Sequence, residues 1–235
     1  MLKTIKQWLS AATDMVMPRV CPVCGRALDS DETWLCRQCL SRLPRTRYEE
    51  VDFNTMEQHF AGKVPIERAT AYFFYEKGAP YASILHDIKY HNLPKMGRWL
   101  TARAVHDMAG SRFFDGIDAV TAVPLHRSKL AQRGYNQSEY LARGIADASG
   151  IPYIEVLKAV LPHSTQTHKG ALERWKNIQG NYVLKKEAAS LAGKHILLVD
   201  DVITTGATLT VCATALQAIP GIKISLFTLA AARLD

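Results

Sequence analysis

Two adjacent acids, Asp200 and Asp201, follow an apolar run and precede a segment rich in threonine. The run, residues 196–199, is aliphatic throughout, which is typical of a strand covered on both faces of a parallel sheet. The acids are therefore predicted to lie at the carboxyl end of a strand, where open α/β sheets bind their ligands. Carboxylates paired at that place suit ribose hydroxyls or Mg²⁺.

The segment after the acids has the composition of a phosphate-binding loop. A helix is predicted to begin there, so free N–H groups, threonine hydroxyls and the helix dipole would favour a phosphate. The residues concerned are Val202, Thr204, Thr205, Gly206, Ala207 and Thr208. Together these features predict a sugar-phosphate site, and the alternative is a plain turn with two solvated acids. The chain has neither a Walker A nor a Gly-x-Gly-x-x-Gly sequence, which argues against a nucleoside triphosphatase or a dehydrogenase.

Four of the five cysteines form two Cys-x-x-Cys pairs, Cys21 with Cys24 and Cys36 with Cys39. Four thiolates make a closed tetrahedral Zn²⁺ site, and so short a segment needs such a metal to fold. A structural zinc site is predicted, with two disulfides or a redox pair as the alternatives. The fifth cysteine, Cys212, is in phase with neighbouring leucines and is predicted to lie in the core.

The positive charge of the chain is unevenly distributed. The 235 residues carry a formal charge of +7, with 29 Lys and Arg against 22 Asp and Glu. Residues 1–60 contain eight of each sign, so the excess lies in residues 61–235. A basic surface suits a diphosphate or a nucleic-acid backbone. Neither a membrane span of roughly 18 apolar residues nor a secretory signal is recognisable, so a cytoplasmic protein is predicted.

The chain is predicted to contain three segments that position these residues. Residues 1–18 have apolar side chains near helical spacing and are predicted to form an amphipathic helix. That helix would lie on the inner membrane surface, or pack against its own large domain or a partner. Residues 19–47 are predicted to form the zinc module, and residues 60–235 one α/β domain.

Local patterns predict several elements of the large segment. Strands are predicted at 68–75 and 119–123, and helices at 81–90 and 136–148. Asn136 would cap the last helix, with Glu139 completing a capping box. Residues 163–180 are predicted to be a loop that orders over a ligand. No metal-ligand spacing with a carboxylate is evident for the histidines His86, His91, His163 and His168.

Further segments, in a fixed order along the chain, carry a resemblance to a known family. Val-Pro-Leu at 123–125 precedes a basic stretch and Arg-Gly-Tyr-Asn-Gln at 133–137, and Thr-Gln at 165–166 precedes Arg174 and Asn177. Lys89 lies in Ile-Lys-Tyr-His. With the four cysteines, this order resembles the ComF family of competence and DNA-utilisation proteins, a branch of the type I phosphoribosyltransferases. The resemblance covers about residues 15–232.

The resemblance implies a fold, a ligand and roles for particular residues. The fold would be that of type I phosphoribosyltransferases, a doubly wound and mostly parallel sheet, with a small zinc-ribbon-like module before it. The ligand would be 5-phosphoribosyl-1-pyrophosphate (PRPP) with Mg²⁺, or a related sugar phosphate. Asp200 and Asp201 would be catalytic and hold the ribose or the metal, and residues 204–208 would bind the 5′-phosphate. Val202 would also belong to the PRPP site. The candidates for pyrophosphate or DNA contacts are Lys89, Arg127, Arg133 and Arg174.

Three functions stay open on the sequence. The resemblance favours an accessory protein of DNA uptake or utilisation, cytoplasmic or peripheral at the inner membrane, with single-stranded DNA and uptake-machinery proteins as partners. The first alternative is an active phosphoribosyltransferase of nucleotide salvage or metabolism, for which no pattern identifies an acceptor. The second is a zinc-dependent nucleic-acid-binding module in which Trp34, Tyr135 or Trp175 stacks on bases, unless these residues belong to the core.

Overall fold

The computed structural model describes residues 19–160 and 181–233. The α-helices described are α1 (Arg37–Ser41), α2 (Thr55–Phe60), α3 (Ala82–Tyr90), α4 (Pro94–Asp107), α5 (Arg127–Arg133), α6 (Gln137–Ser149) and α7 (Ala207–Leu216). The strands are β1 (Ala69–Phe74), β2 (Ala119–Ala122), β3 (Leu157–Ala159), β4 (Tyr182–Leu184), β5 (His195–Ile203) and β6 (Lys223–Ala231). Two short 3₁₀ helices are also present, at Tyr48–Glu50 and Lys186–Leu191.

The main sheet has four parallel strands in the order β1-β6-β5-β2. Strand β5 lies between β6 and β2, with Val199 in register with Phe227 of β6 and with Ala122 of β2. A parallel strand with neighbours on both sides and helices on both faces has no side open to water, which explains its continuous apolar run. The predicted α/β class with a parallel sheet is confirmed. Strands β3 and β4 form a separate antiparallel pair.

Alternate side chains of β5 point to opposite faces of the sheet and enter two separate cores. Leu197 and Val199 belong to the core that contains residues of α4 and α6. Ile196 and Leu198 belong to the core that contains residues of α7, including the buried Cys212. Helices therefore cover both faces of the sheet, as a doubly wound fold requires, and Cys212 lies in the core as predicted.

Helices α4 and α6 touch each other along their backbones. The Thr101 hydroxyl donates to the Leu141 carbonyl across the pair at 2.8 Å. A Cβ atom at position 144 would overlap the carbonyl of Arg98, so the contact requires Gly144. This packing fixes where α6 begins, which matters because its first turn faces the acids of β5.

The start of α6 is capped much as the sequence predicts. The side chain of Asn136 accepts a hydrogen bond from the N–H of Ser138 at 3.2 Å, and its own amide donates to the Val123 carbonyl at the end of β2. Glu139 was expected to complete a capping box, but it accepts from Arg143 one turn along the helix. The basic partner at i+4 offers the carboxylate a charged donor, which the backbone N–H of the cap cannot match.

The four-cysteine segment packs directly on the first of the two cores. Cys36 and Leu43 lie in the same apolar cluster as Tyr72 and Phe73 of β1. Farther along, Arg45 forms an antiparallel bridge with Phe73. The segment is thus attached to the edge strand of the main sheet by apolar contacts and by its backbone.

Some of the predicted organisation stays a prediction. The division into residues 1–18, 19–47 and 60–235 is of this kind. The predicted amphipathic helix at 1–18 lies outside the described residues, as does the predicted loop at 163–180. Among the helices of residues 19–160 and 181–233, none has the length and hydropathy that crossing a bilayer requires.

Candidate functional site

Strand β5 carries Asp200 and Asp201 past the point where its neighbour β2 ends. The last pair of β2 is Ala122 with Val199, whereas β6 stays in register with β5 as far as Ile203. The acids were expected at the carboxyl end of the strand, but β5 continues for two residues beyond Asp201 because β6 still pairs with it. Because β2 ends before the acids, one edge of β5 is unpaired there. This unpaired edge forms the entrance of the candidate site.

Asp200 is buried, and its carboxylate is held by two donors. The Ser138 hydroxyl, in the first turn of α6, donates to Oδ1 at 2.7 Å, and the N–H of Asp201 donates to the same oxygen at 2.9 Å. Burial, and then the charge of Asp201, raise the pKa of Asp200 to about 7 in spite of these donors. Asp200 is therefore poised to change its charge near neutral pH.

Asp201 has a different set of contacts. The ammonium of Lys89, near the end of α3, lies 3.2 Å from Oδ1. The other carboxylate oxygen, Oδ2, is buried, and no donor among the described residues reaches it. A buried acceptor without a donor costs free energy, roughly 1–3 kcal/mol. The arrangement favours a ligand that supplies a cation or a hydroxyl group, and both Mg²⁺ and a ribose fit that requirement.

The predicted phosphate loop joins β5 to α7. Thr204 and Thr205 are exposed, and Gly206 adopts a φ of 67° immediately before α7 begins at Ala207. No side chain caps the helix, so N–H groups of its first turn lack a side-chain partner. A phosphate placed there would meet donors and the positive end of the helix dipole.

Helix α2 packs against this loop, a contact that the sequence did not indicate. The His59 ring nitrogen Nε2 lies 3.0 Å from the Thr205 carbonyl oxygen. A Cβ atom on Gly206 would come within 2.8 Å of the same nitrogen. The capping pattern of Asn54 and Glu57 could have located the helix. It carries no information on the loop, which lies 146 residues away.

A cavity of about 370 Å³ opens between the acids, the start of α7 and helix α5. Its walls bring together six residues that the sequence analysis singled out: Lys89, Arg133, Asp200, Asp201, Val202 and Thr208. Lys129 also lines it. The acidic pair thus faces three cations across the cavity, an arrangement that can hold a metal–diphosphate ion pair.

Two of the predicted basic contacts are absent from the described walls of this cavity. Arg127 is the first residue of α5, and Lys129 and Arg133, four residues apart on one face of that helix, line the cavity without it. Lys129 is therefore a candidate that the sequence analysis did not select. Arg174 lies outside the described residues.

The four cysteines Cys21, Cys24, Cys36 and Cys39 converge as the sequence predicts. Their sulfurs all lie within 4.8 Å of one another, and Cys24 Sγ is 3.7 Å from Cys36 Sγ. Tetrahedral zinc with Zn–S bonds of about 2.3 Å separates its sulfurs by roughly 3.8 Å, so the cluster fits Zn²⁺. All four are free thiols, which the disulfide alternative does not allow. Bound zinc would supply structural cross-linking and leave no open position for catalysis.

A second group of metal-ligand type lies on α3, and the sequence analysis was wrong to find no carboxylate within reach of these histidines. His91 Nδ1 is 2.7 Å from Asp87 Oδ1, and His86 Nδ1 is 3.8 Å from the same oxygen. The helical repeat brings position i+4 over position i, so His91 returns to Asp87. His163 and His168 lie outside the described residues.

Comparison with known proteins finds similar sequences and similar solved structures. No model of a protein family matches the chain. DNA utilization protein YhgH of Escherichia coli K12 is 26% identical over 193 residues, covering 80% of each chain. Competence protein F of Haemophilus influenzae Rd is 29% identical over 134 residues, covering 55% of this chain and 58% of that protein.

Several solved structures similar to the chain have phosphoribosyltransferase or phosphoribosylpyrophosphate in their names. The allosteric regulatory enzyme of purine biosynthesis matches 57% of this chain, which spans 26% of that structure, with a TM-score of 0.38 and 20% identity. Adenine phosphoribosyltransferase of Leishmania tarentolae matches 77% of this chain and 89% of its own, with a TM-score of 0.35 and 13% identity.

The site and the cluster together define a class of protein: a parallel α/β domain with paired acids and a phosphate-type loop, attached to a four-cysteine cluster. Within that class, the chain is a relative of the competence and DNA-utilisation proteins. The resemblance to the ComF family is thereby confirmed.

Proposed function

We propose that the chain binds PRPP or a related sugar phosphate with Mg²⁺, and single-stranded DNA, as a cytoplasmic accessory protein of DNA uptake or utilisation. The observation that carries the first part is the buried acid pair with one carboxylate oxygen lacking a donor among the described residues. It faces a cavity between a phosphate-type loop and three cations. The names of the two relatives support the part concerning DNA.

Each group of residues has a distinct task in this proposal. Asp200 and Asp201 hold Mg²⁺ or the ribose hydroxyls, which places the sugar beneath the opening left by β2. The loop from Thr204 to Thr208 holds the 5′-phosphate through N–H groups and hydroxyls. Lys89 and Arg133 meet the pyrophosphate, because ammonium and guanidinium groups bind phosphate oxygens through charge-assisted hydrogen bonds.

The proposal also includes the predictions for the other basic residues, the zinc module and the amino-terminal segment. Arg127 and Arg174 are further contacts for pyrophosphate or DNA, and zinc holds the module of residues 19–47 together. Free thiols suited to a metal fit a reducing compartment such as the cytoplasm. Residues 1–18 would meet the inner membrane surface or a protein of the uptake machinery.

An active phosphoribosyltransferase of nucleotide salvage is the second candidate. The observation in its favour is that both acids are present in a cavity wide enough for a sugar diphosphate. Such an enzyme would release pyrophosphate when PRPP is mixed with an acceptor. A screen of purine and pyrimidine bases for pyrophosphate release therefore separates the two candidates.

The first experiment is calorimetric titration of the zinc-loaded full chain with PRPP and Mg²⁺. Asp201→Asn should weaken binding about 10- to 100-fold, because a charged hydrogen-bonding partner contributes roughly 1.5–3 kcal/mol. Asp115→Asn is the matched control: it removes the same charge from an exposed side chain paired with Arg112. Equal affinities of Asp201→Asn and wild type would contradict the proposed sugar-phosphate site.

A further inference from the structure

A second cavity, of about 390 Å³, adjoins the cavity that contains the acids. It is called here the side pocket. The two cavities share Lys89, Tyr90, Lys129 and Arg133, so they are two parts of one groove. The side pocket adds the amides of Asn92 and Gln132 to these residues. No acidic side chain is among its described lining residues.

Tyr90 is the unusual residue of the side pocket. Its residue surface is 66% exposed, although α3 buries Ile84, Leu85 and Ile88 in the core. The guanidinium of Arg133 lies 5.4 Å from the centre of its ring. An exposed tyrosine beside an arginine offers a flat, partly apolar surface with a cation at its edge.

Two of the three aromatic residues that the sequence suggested for stacking make other contacts. Tyr135 is buried, and its hydroxyl donates to the Ile88 carbonyl at 2.5 Å, so it fixes α3 beneath the pocket. Trp34, within the cysteine segment, packs against the first core. Trp175 lies outside the described residues. Tyr90 is thus the aromatic side chain of the described groove that is open to a ligand.

The chemistry of the side pocket matches one nucleotide unit. Three cations suit a phosphodiester, an exposed ring suits a base, and two amides can bond to base edges. Stacking on a side chain requires an unpaired base, which a duplex does not present. We propose that the side pocket binds one nucleotide of single-stranded DNA, with its base stacked on Tyr90 and its phosphate held by Lys129 and Arg133. This inference rests on the proposed DNA-binding function and assigns it a place.

The position of the side pocket also couples the two proposed ligands. Lys89 lines both cavities and directly precedes Tyr90 in sequence. Its ammonium lies 3.2 Å from Asp201 Oδ1. A strand in the side pocket and a diphosphate beside the acids would both draw on Arg133, which lines both cavities. Each ligand should weaken the binding of the other, because such coupling is reciprocal.

The test compares two labelled strands binding to the zinc-loaded full chain by fluorescence anisotropy. One strand is a short oligothymidylate, and the other has the same phosphodiester backbone with abasic sites. Tyr90→Ala should weaken oligothymidylate binding about 5- to 100-fold, as expected for the loss of one base–aromatic stack. It should leave binding of the abasic strand unchanged, whereas Tyr90→Phe should bind both strands like wild type.

Phe53 supplies a matched control for the loss of an exposed aromatic side chain. It is 63% exposed and lines neither part of the groove, so Phe53→Ala should bind both strands like wild type. Equal binding of oligothymidylate by Tyr90→Ala and wild type would overturn the assignment of Tyr90. So would an equal loss on both strands, since that indicates a structural role. If wild type binds neither strand, the DNA part of the proposed function fails, and the inference fails with it.

Discussion

Asp200 and Asp201 are neighbours in sequence, yet their side chains have different surroundings. Asp200 is buried against α6, and the adjacent charge of Asp201 opposes its ionisation, so its pKa rises to about 7. Asp201 has the ammonium of Lys89 at 3.2 Å. Burial and the neighbouring negative charge both make ionisation of Asp200 costly.

The raised pKa of Asp200 predicts a pH-dependent stability. An unfolded carboxyl of this type ionises near 3.8, so between that pH and about 7 the folded protein keeps a proton that the unfolded chain has released. Stability is then greatest at the acid end of this range and falls as pH rises to about 7. Asp200→Asn is neutral throughout, and its amide oxygen can still accept from Ser138. Its free energy of unfolding should exceed that of wild type increasingly with pH, by at most about 1.4 kcal/mol per pH unit.

Urea unfolding of the ligand-free, zinc-loaded protein at several pH values measures this difference. Asp118→Asn is a suitable control, because hydrogen bonding to the N–H of His195 lowers the pKa of Asp118 instead of raising it. The difference between Asp118→Asn and wild type should stay constant above about pH 5. A constant difference for Asp200→Asn over the same range would show that Asp200 is ionised throughout.

The loop between β5 and α7 depends on an element that lies far away in sequence. Gly206 has a φ of 67°, which disfavours any side chain, and His59 of α2 occupies the space that a Cβ atom would need. The φ angle of Gly206 and its contact with His59 are separate constraints on residue 206. A substitution of His59 removes the contact and leaves the φ angle.

Gly206→Ala should lower the free energy of unfolding by about 1–2 kcal/mol from backbone strain, plus a contribution from the contact with His59. Gly62 is the matched control: its φ is 73°, and nothing lies within 4 Å of an added Cβ atom. Gly62→Ala therefore measures strain alone. In urea unfolding, Gly206→Ala introduced into His59→Ala should cost only the loss measured at Gly62, because the contact is then absent. Equal losses at positions 206 and 62 would mean that His59 does not constrain the loop.

The elements that the sequence predicted correctly are those with a local pattern. The apolar run before Asp200 and the small residues after it locate β5, the loop and the start of α7, because a strand covered on both faces and a helix terminus each select their own residues. The paired cysteines predict their cluster for a similar reason, since two short spacings bring four thiols together.

The contacts that complete the site could not be predicted in this way. Ser138 reaches Asp200 across 62 residues, and His59 reaches Thr205 across 146. Neither contact produces a recognisable spacing in the sequence, because both contacts arise from the order of the strands and the packing of the helices. The sequence analysis selected Arg127 instead of Lys129 for a similar reason. Only the rotation of α5 decides which of its cations face the acids.

The described part of the molecule has two cores, one on each face of the main sheet, and the cysteine segment contributes to the first of them. Cys36 and Leu43 pack in the cluster that contains Tyr72 and Phe73 of β1. The Tyr81 hydroxyl also donates to the Cys39 carbonyl at 2.9 Å, which connects the start of α3 to the cluster. Metal bound by the cysteines should therefore stabilise the α/β domain as well as the segment that holds the metal.

Cys36→Ser should lose the zinc and lower the Tm of the α/β domain by roughly 10 °C, because the free energy of metal binding is part of the free energy of folding. Metal content by mass spectrometry and thermal unfolding followed by far-ultraviolet circular dichroism measure the two effects. Cys212→Ala, which alters the core without touching the cluster, should keep one zinc per chain. A domain that unfolds at the same temperature with and without zinc would show that the cysteine segment is energetically separate. In that case the two segments on either side of the boundary predicted near residue 47 would unfold independently.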